Sequence, residues 1–422
     1  MLYFNKGDIA YDFSSEELKE AVFESLDRIG PRSQVLVIPP DFTRYHSRAG
    51  EITNLIWKYY GPKLKAILPA LGTHYAMTPE EITRMFGDIP KSLFLVHDWR
   101  RDILTLGRVP AEFLEEVSEG RIHYDWPAQV NRLLVEGGFD LILSVGQVVP
   151  HEVIGMANYN KNIFVGTGGS EGINKSHFLG AAYGMERIMG RADNPVRAVL
   201  NYASGHFGDS MPLVYLHTVI SRSDDGRLAT RGFYVGDDHE CFYLAADLSL
   251  KVNFQLLDKP LKKVVVYLDP SEFKSTWLGN KSIYRTRMAI ADGGQLIILA
   301  PGLHVFGEDE QIDRLIRKYG YRYTSEILRL TNEKEDLASN LGAAAHLIHG
   351  TTDGRFNVFY CTGELSEQEI QSVGYNYLPV KNMMKLYNPA KLTEGVNVMP
   401  GGEEIFFISN PALGLWSTKD KF

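Results

Sequence analysis

His74, His151, Lys161 and His177 are the side chains in this sequence whose types and spacing suit chemistry near neutral pH, and Asp41 and Arg44 suit the orienting of a ligand beside them. Histidine is acid or base near pH 7, so two imidazoles facing each other across a substrate carbon make a natural two-base racemase or epimerase. Arginine grips a carboxylate through two parallel hydrogen bonds. Lys161 lies ten residues beyond His151, and His177 sixteen beyond Lys161, among Gly155, Gly166, Gly168, Gly169 and Gly172. Glycines at that density let backbone approach a ligand closely. Residue by residue, plainer readings stand beside these: a helix cap at Asp41, a structural histidine at His74, a mobile surface loop after His151.

The elements that must position these groups are short apolar runs. Val35 to Ile38 runs into Pro39-Pro40-Asp41, residues 65–68 run towards Gly72-Thr73-His74, and 141–145 lead through Gly146 and Pro150 to His151. Polar groups therefore begin where buried strands end, which is the edge at which open α/β sheets bind ligands. Residues 92–96 read as a further strand ending at His97. Residues 17–29 carry helical spacing and stop at Gly30-Pro31, and Thr78-Pro79-Glu80-Glu81 is a helix start. The runs 214–220 and 229–235 flank Ser223-Asp224-Asp225-Gly226, a hairpin signal. His239-Glu240 follows two aspartates but has no further ligand at short spacing, so it reads as a solvated acidic loop. Asp258-Lys259-Pro260 breaks the pattern, and strands at 262–268 and 294–300, with a mainly helical 273–291 between them, require a second sheet.

The expected fold is α/β, with two α/β domains and the active site in the cleft between them. Residues 1–257 form the amino-terminal cofactor- and substrate-binding domain, completed by 386–422, and 262–385 form the second. At 422 residues two domains are the prior, and the net charge of −8 argues against nucleic acid or an anionic membrane as partner. Two cysteines are too few for a disulfide framework, and no signal pattern or membrane-spanning apolar run occurs, so a cytoplasmic protein acting on a small molecule is expected. No GxGxxG fingerprint follows the first strand, and no phosphate loop, nucleophile elbow or paired CxxC site occurs.

Several motifs in order resemble the nickel-dependent lactate racemase family and its hydroxyacid epimerase relatives. They are Asp41-x-Thr43-Arg44, Gly72-Thr73-His74, His151-x3-Gly155-x5-Lys161-x-Ile163-x2-Gly166 with His177, and Asn194-Pro195-x-Arg197. The resemblance implies a nickel pincer nucleotide, a pyridinium mononucleotide whose two sulfur-bearing arms and ring carbon hold the metal. It implies Lys161 as covalent anchor through a thioamide, His177 as nickel ligand, and Asp41, Gly155 and Gly166 around the cofactor. His74 and His151 would be the bases, Arg44 with Asp41 would orient the substrate, and Trp277 and Lys281 would contact it from the second domain. Partner proteins that make the cofactor and insert nickel are implied as well.

Departures from the family pattern fall at Met156-Ala157-Asn158-Tyr159-Asn160, at Val165, and at Leu278 where the family has glutamine. Leu278 cannot replace a glutamine's hydrogen bonds, so a substrate other than lactate is expected. The hydroxyl and amides of Tyr75, Asn158, Tyr159 and Asn160 favour a sugar acid inverted at C2 over a simpler 2-hydroxy acid. Two other readings stay open: a metal-independent isomerase or dehydratase on the same scaffold, and a catalytically silent binding protein for a sugar acid or nucleotide.

Overall fold

A computed structural model describes the whole chain except residues 224–226 and the side chain of Leu413. The chain divides into two compact units, Met1–Leu179 with Arg187–Asn253, and Gly180–Glu186 with Phe254–Phe422.

The first unit is built on a six-stranded sheet in the order Leu2–Gly7, Leu228–Gly236, Leu213–Arg222, Leu141–Gln147, Val35–Ile38, Leu64–Ile67. The last four strands run parallel and the first two are added antiparallel. Val35, Leu36 and Val37 lie beside Leu141, Ile142 and Leu143, all fully or almost fully buried, as expected for apolar runs covered on both faces. Leu18, Val22 and Leu26 of the helix Ser15–Ile29, and Ile52, Leu55 and Ile56 of Ala49–Tyr60, pack into one core with Val35, Val37, Leu141 and Leu143. The first of these helices is started by a capping box between Ser14 and Glu17. Because Leu141–Gln147, Val35–Ile38 and Leu64–Ile67 are parallel neighbours, their carboxyl ends reach one edge of the sheet together.

The second unit has its own six-stranded sheet, ordered Asn376–Tyr377, Asn357–Thr362, Ile290–Ala300, Leu261–Tyr267, Glu404–Ile408, Gly395–Val398, with only the last strand antiparallel. This corrects the expectation that 386–422 completes the first domain. Val264–Val266 pair in register with Phe406–Ile408, and Leu415–Thr418 pairs with Phe254–Leu257, so the carboxyl-terminal residues belong to the second unit. The 273–291 segment holds two four-residue helices, Thr276–Gly279 and Lys281–Tyr284, in place of a long one. Thr276 and Asn280 of that stretch are buried, the Thr276 hydroxyl donating to Phe306 O and Asn280 Oδ1 accepting from the Tyr360 hydroxyl, bonds a solvent-facing helix would not make.

Two other expectations change. Residues 92–96 form no strand: a 3-10 turn at Lys91–Leu93 leaves only a single bridge between Phe94 and Ile67. His239 and Glu240 open the helix His239–Asn253 in place of a loop, because Cys241, Phe242, Ala245 and Ala246 provide an apolar face that is buried. The hairpin strands pair antiparallel, Leu228 against Arg222, while the turn residues Asp224, Asp225 and Gly226 lie outside the described residues. Among the described residues no helix is long and apolar enough to cross a membrane.

Candidate functional site

Beyond Ile38 the chain passes Pro39-Pro40, and Asp41 caps the 3-10 helix Phe42–Ser47, its carboxylate accepting from Thr43 N at 3.1 Å and from the Thr43 hydroxyl. The neighbouring strand leaves Ile67 and keeps in step: Ala70 N bonds Pro39 O at 2.8 Å, and Gly72, at φ +57°, turns the chain towards His74. The His74 Nδ1 atom then meets Asp41 Oδ2 at 2.6 Å, with the carboxylate buried and the imidazole 59% exposed. Burial pushes the Asp41 carboxyl up, but His74, Thr43 and Arg44 outweigh it and hold the group below the usual carboxylate range. An ionised carboxylate only accepts, so Nδ1 carries the proton and His74 presents Nε2 as a lone pair. The sequence placed Asp41 beside the ligand; the structure gives it the orientation of His74.

The third strand ends in a tight turn in which Pro150–His151 pairs with Gly155–Met156. His151 is 6% exposed, its Nδ1 accepts from Val153 N at 3.1 Å, and the Glu152 carboxylate stands 3.8 Å from the same nitrogen. Gly155 sits at φ +73°, and a Cβ there would lie 1.8 Å from the Arg191 carbonyl. A Cβ on Gly166 would meet Asn162 O at 2.4 Å, and its carbonyl accepts from Gly72 N at 2.8 Å. Both glycines are thus demanded by protein against protein, Gly166 clamping the Lys161 segment to the loop that carries His74.

Lys161 belongs to the short helix Asn160–Phe164, entered through Asn158 and Tyr159, both at positive φ. Two non-glycine residues in that region are held there by tertiary bonds. Arg197, 1% exposed, donates to Met156 O at 2.7 Å, to Asn158 O at 3.4 Å and to Asn160 Oδ1. Asn160 donates to Asn201 at 2.8 Å, and Asn162 to Ile38 O and Ser144 Oγ at 3.2 and 3.0 Å. Tyr159 is buried against Tyr215 and stacks on Phe242 with centroids 5.1 Å apart, and Asn158 contacts His217. Residues 158–160, expected to face a substrate, are buried inside the protein, and Tyr75 is 85% exposed.

Loss of water, reinforced by the charge of Arg44 against the pull of Glu152 and Asp41, pushes the Lys161 ammonium down to about 8. His177 lies in the helix Ser170–Tyr183, where burial lowers its proton affinity despite the Ile173 carbonyl, with Lys161, Glu152 and His74 acting on it through their charges. Its Nδ1 is 2.7 Å from Ile173 O. A carbonyl only accepts, so Nδ1 carries the proton and Nε2 keeps the lone pair a metal requires. Asp41, Arg44, His74, Glu152, Lys161 and His177 therefore share one electrostatic neighbourhood in the first unit. Trp277 and Lys281 lie in the second unit, where Trp277 stacks on His346 at 4.5 Å. Among the described residues no three His, Cys, Asp or Glu side chains converge on a metal position.

Residues 18–187 match the model of the lactate racemase N-terminal domain, a span that contains every one of these first-unit groups. Over that span the chain is similar to the lactate racemase family. The structure of a Thermotoga maritima protein is similar with a TM-score of 0.82 and 25% identity, covering 98% of this chain and 100% of that one. That of the lactate racemase apoprotein from Thermoanaerobacterium thermosaccharolyticum is similar with a TM-score of 0.71 and 16% identity, covering 98% and 94%. Among curated proteins none matches the chain. The α/β fold shared with these structures is the fold expected from the strand-end pattern.

Glu152 is the site group that sequence reasoning passed over. Its adjacency to His151 was the only signal, and a glutamate next to a histidine is common. Asp41 and His74 are 33 residues apart, and only the pairing of their two strands brings them together.

Proposed function

We propose that the chain is a racemase or epimerase that inverts the hydroxyl-bearing carbon of a 2-hydroxy acid with a nickel pincer nucleotide. The observation that carries this reading is the joint state of Lys161 and His177: an amine whose proton is loosely held, beside a neutral imidazole whose Nε2 keeps its lone pair. An amine that is readily neutral is the form that enters a covalent bond, and a lone pair on a fixed ring is what a metal takes. The residues present thus fit the group, with Lys161 to anchor it and His177 to ligate its nickel.

When bound, the group supplies a hydride acceptor for the substrate carbon. Arg44 supplies a guanidinium for the substrate carboxylate, which would fix the adjacent carbon. His74 Nε2 receives the hydroxyl proton, and the positive charge that builds on the ring is balanced by Asp41 at 2.6 Å. The proton returns by the same path once the carbon has been re-reduced on its other face. The substrate is read as a simple 2-hydroxy acid, because the amide nitrogens of Asn158 and Asn160 bond within the protein and the Tyr159 ring is buried against Phe242.

Protein made in a host that has the cofactor-synthesis and nickel-insertion proteins tests this. It should carry about one nickel per chain and a covalent mass increment that Lys161→Ala abolishes, and it should interconvert the stereoisomers of at least one 2-hydroxy acid. Full activity in protein of unmodified mass would overturn the cofactor assignment.

A further inference from the structure

We propose that Arg197 is a positioning residue for Lys161: from one polar face of its helix it splints the strained segment 156–160 and so fixes where the lysine amine stands. Asn194, Arg197, Asn201 and Ser204 make that face, spaced three, four and three residues apart along the helix Pro195–Phe207 and its cap, as neighbours on one side of a helix are. Asn194 Nδ2 donates to Ile154 O at 2.9 Å, while its Oδ1 accepts from Arg197 N at 3.0 Å. Arg197 donates to Met156 O at 2.7 Å, to Asn158 O at 3.4 Å and to Asn160 Oδ1. Asn160 Nδ2 in turn donates to Asn201 Oδ1 at 2.8 Å and to Ser204 Oγ at 3.2 Å. Every second residue from 154 to 160 is tied to the same helix face, and Lys161 is the next residue.

The helix that carries Lys161 cannot supply this placement itself. Asn160–Phe164 is five residues long and has no side-chain cap bond at Tyr159, and a helix so short has little stability of its own. It is entered through Asn158 at φ +69° and Tyr159 at φ +60°, conformations that residues with side chains keep only where their surroundings impose them. The arginine is costly as well. It is 1% exposed, its bonds go to carbonyl and amide oxygens with no carboxylate among them, its Nε has no partner, and burial pulls its pKa down to about 10. An apolar side chain would fill the same space without that desolvation, but it would leave the oxygens of residues 156, 158 and 160 unbonded. A guanidinium donates from two nitrogens held in one plane, and the Phe242 ring, 4.3 Å from its central carbon, braces that plane.

The inference rests on the function proposed above, in which Lys161 anchors the cofactor, and two measurements separate them. Hydrogen exchange on cofactor-free protein reads the splint alone. In Arg197→Met the amides of 156–164 should exchange about tenfold or more faster than in wild type, with those of Leu141–Gln147 unchanged. Val199→Ala opens a cavity on the opposite side of the same helix and should leave 156–164 protected, whatever its loss in urea midpoint.

Protein loaded in a cofactor-competent host reads the lysine. Occupancy of the mass increment at Lys161 should fall about tenfold or more in Arg197→Met and Asn160→Ala, and stay within about twofold of wild type in Val199→Ala. Arg197→Lys keeps the charge without the two-nitrogen fork and should fall with Arg197→Met. Full attachment in Arg197→Lys or Arg197→Met, or unaltered exchange of 156–164 in Arg197→Met, would overturn the proposal. Should Arg197→Met fail to fold, Asn160→Ala and Asn201→Ala cut the same face one side chain at a time, and protection and attachment as in wild type would overturn it equally. If loaded wild type carries no increment, the cofactor assignment fails, while the exchange rates still decide whether the splint holds the segment that leads to Lys161.

Discussion

His74 Nδ1 stands 2.6 Å from Asp41 Oδ2, a contact between groups 33 residues apart that exists only because Val35–Ile38 and Leu64–Ile67 are parallel neighbours. Its consequence is chemical: the carboxylate fixes the ring's tautomer and leaves Nε2 as the proton acceptor. Asp41→Asn keeps the shape but lets the amide favour the other tautomer. Turnover of loaded enzyme should fall by about a hundredfold or more, with nickel content and the mass increment at Lys161 retained. Unchanged turnover would remove Asp41 from the proton path.

The histidines should separate sharply by position. His74→Ala should abolish interconversion while leaving cofactor attachment intact. His123 is 65% exposed with Glu115 at 3.4 Å, and His239 opens a helix at the surface, so alanine at either should leave kcat/KM within about twofold. Comparable losses at all three positions would mean that the site has been placed wrongly.

How much of this was legible in the sequence follows from the range of the interactions involved. The strands Val35–Ile38 and Leu141–Gln147 were readable because they are buried on both faces and so are apolar throughout. The placing of Asp41, His74 and His151 at strand ends followed directly. What escaped were facts set by pairing across the chain: that 404–408 joins Leu261–Tyr267, that Asp41 orients His74, and that Asn158, Tyr159 and Asn160 turn into the protein. In the last case residue type pointed to a polar pocket. The decisive partner was Arg197, whose bonds to Met156, Asn158 and Asn160 no local spacing announces.

Gly155 tests whether the turn beneath His151 is as tightly built as its geometry implies. Gly155→Ala meets both a positive φ and a backbone carbonyl at 1.8 Å, whereas Gly30, at φ +84°, has nothing within 4 Å of a Cβ. Gly30→Ala should therefore cost only about 1 kcal/mol, from backbone conformation alone, and Gly155→Ala about 3 kcal/mol or more. Urea unfolding of the two variants, with equal m-values, measures the difference directly. Equal costs would show that the 155 turn yields easily.

Lys161 offers a pH test that needs no cofactor. Its ammonium is buried away from water, with Arg44 adding repulsion, and its pKa is lowered from the usual 10.5 to about 8. The unfolded chain thus holds this proton up to pH near 10.5, while the folded chain releases it near 8. Unfolding takes up a proton anywhere between, so the lysine's penalty is fully present below pH 8 and disappears as pH rises towards 10.5. Lys161→Met removes the ammonium, and at pH 7 it should stabilise the cofactor-free chain by roughly 2 to 3 kcal/mol, the solvent-exposed part of the side chain keeping the gain towards the lower figure. The stability difference between variant and wild type should shrink steadily from pH 8 to 10.5 and be flat below pH 8. Urea midpoints of both proteins across that range decide the matter. A difference that stays constant would mean that Lys161 ionises like any surface lysine, and the argument for a readily neutralised anchor at this position would be lost.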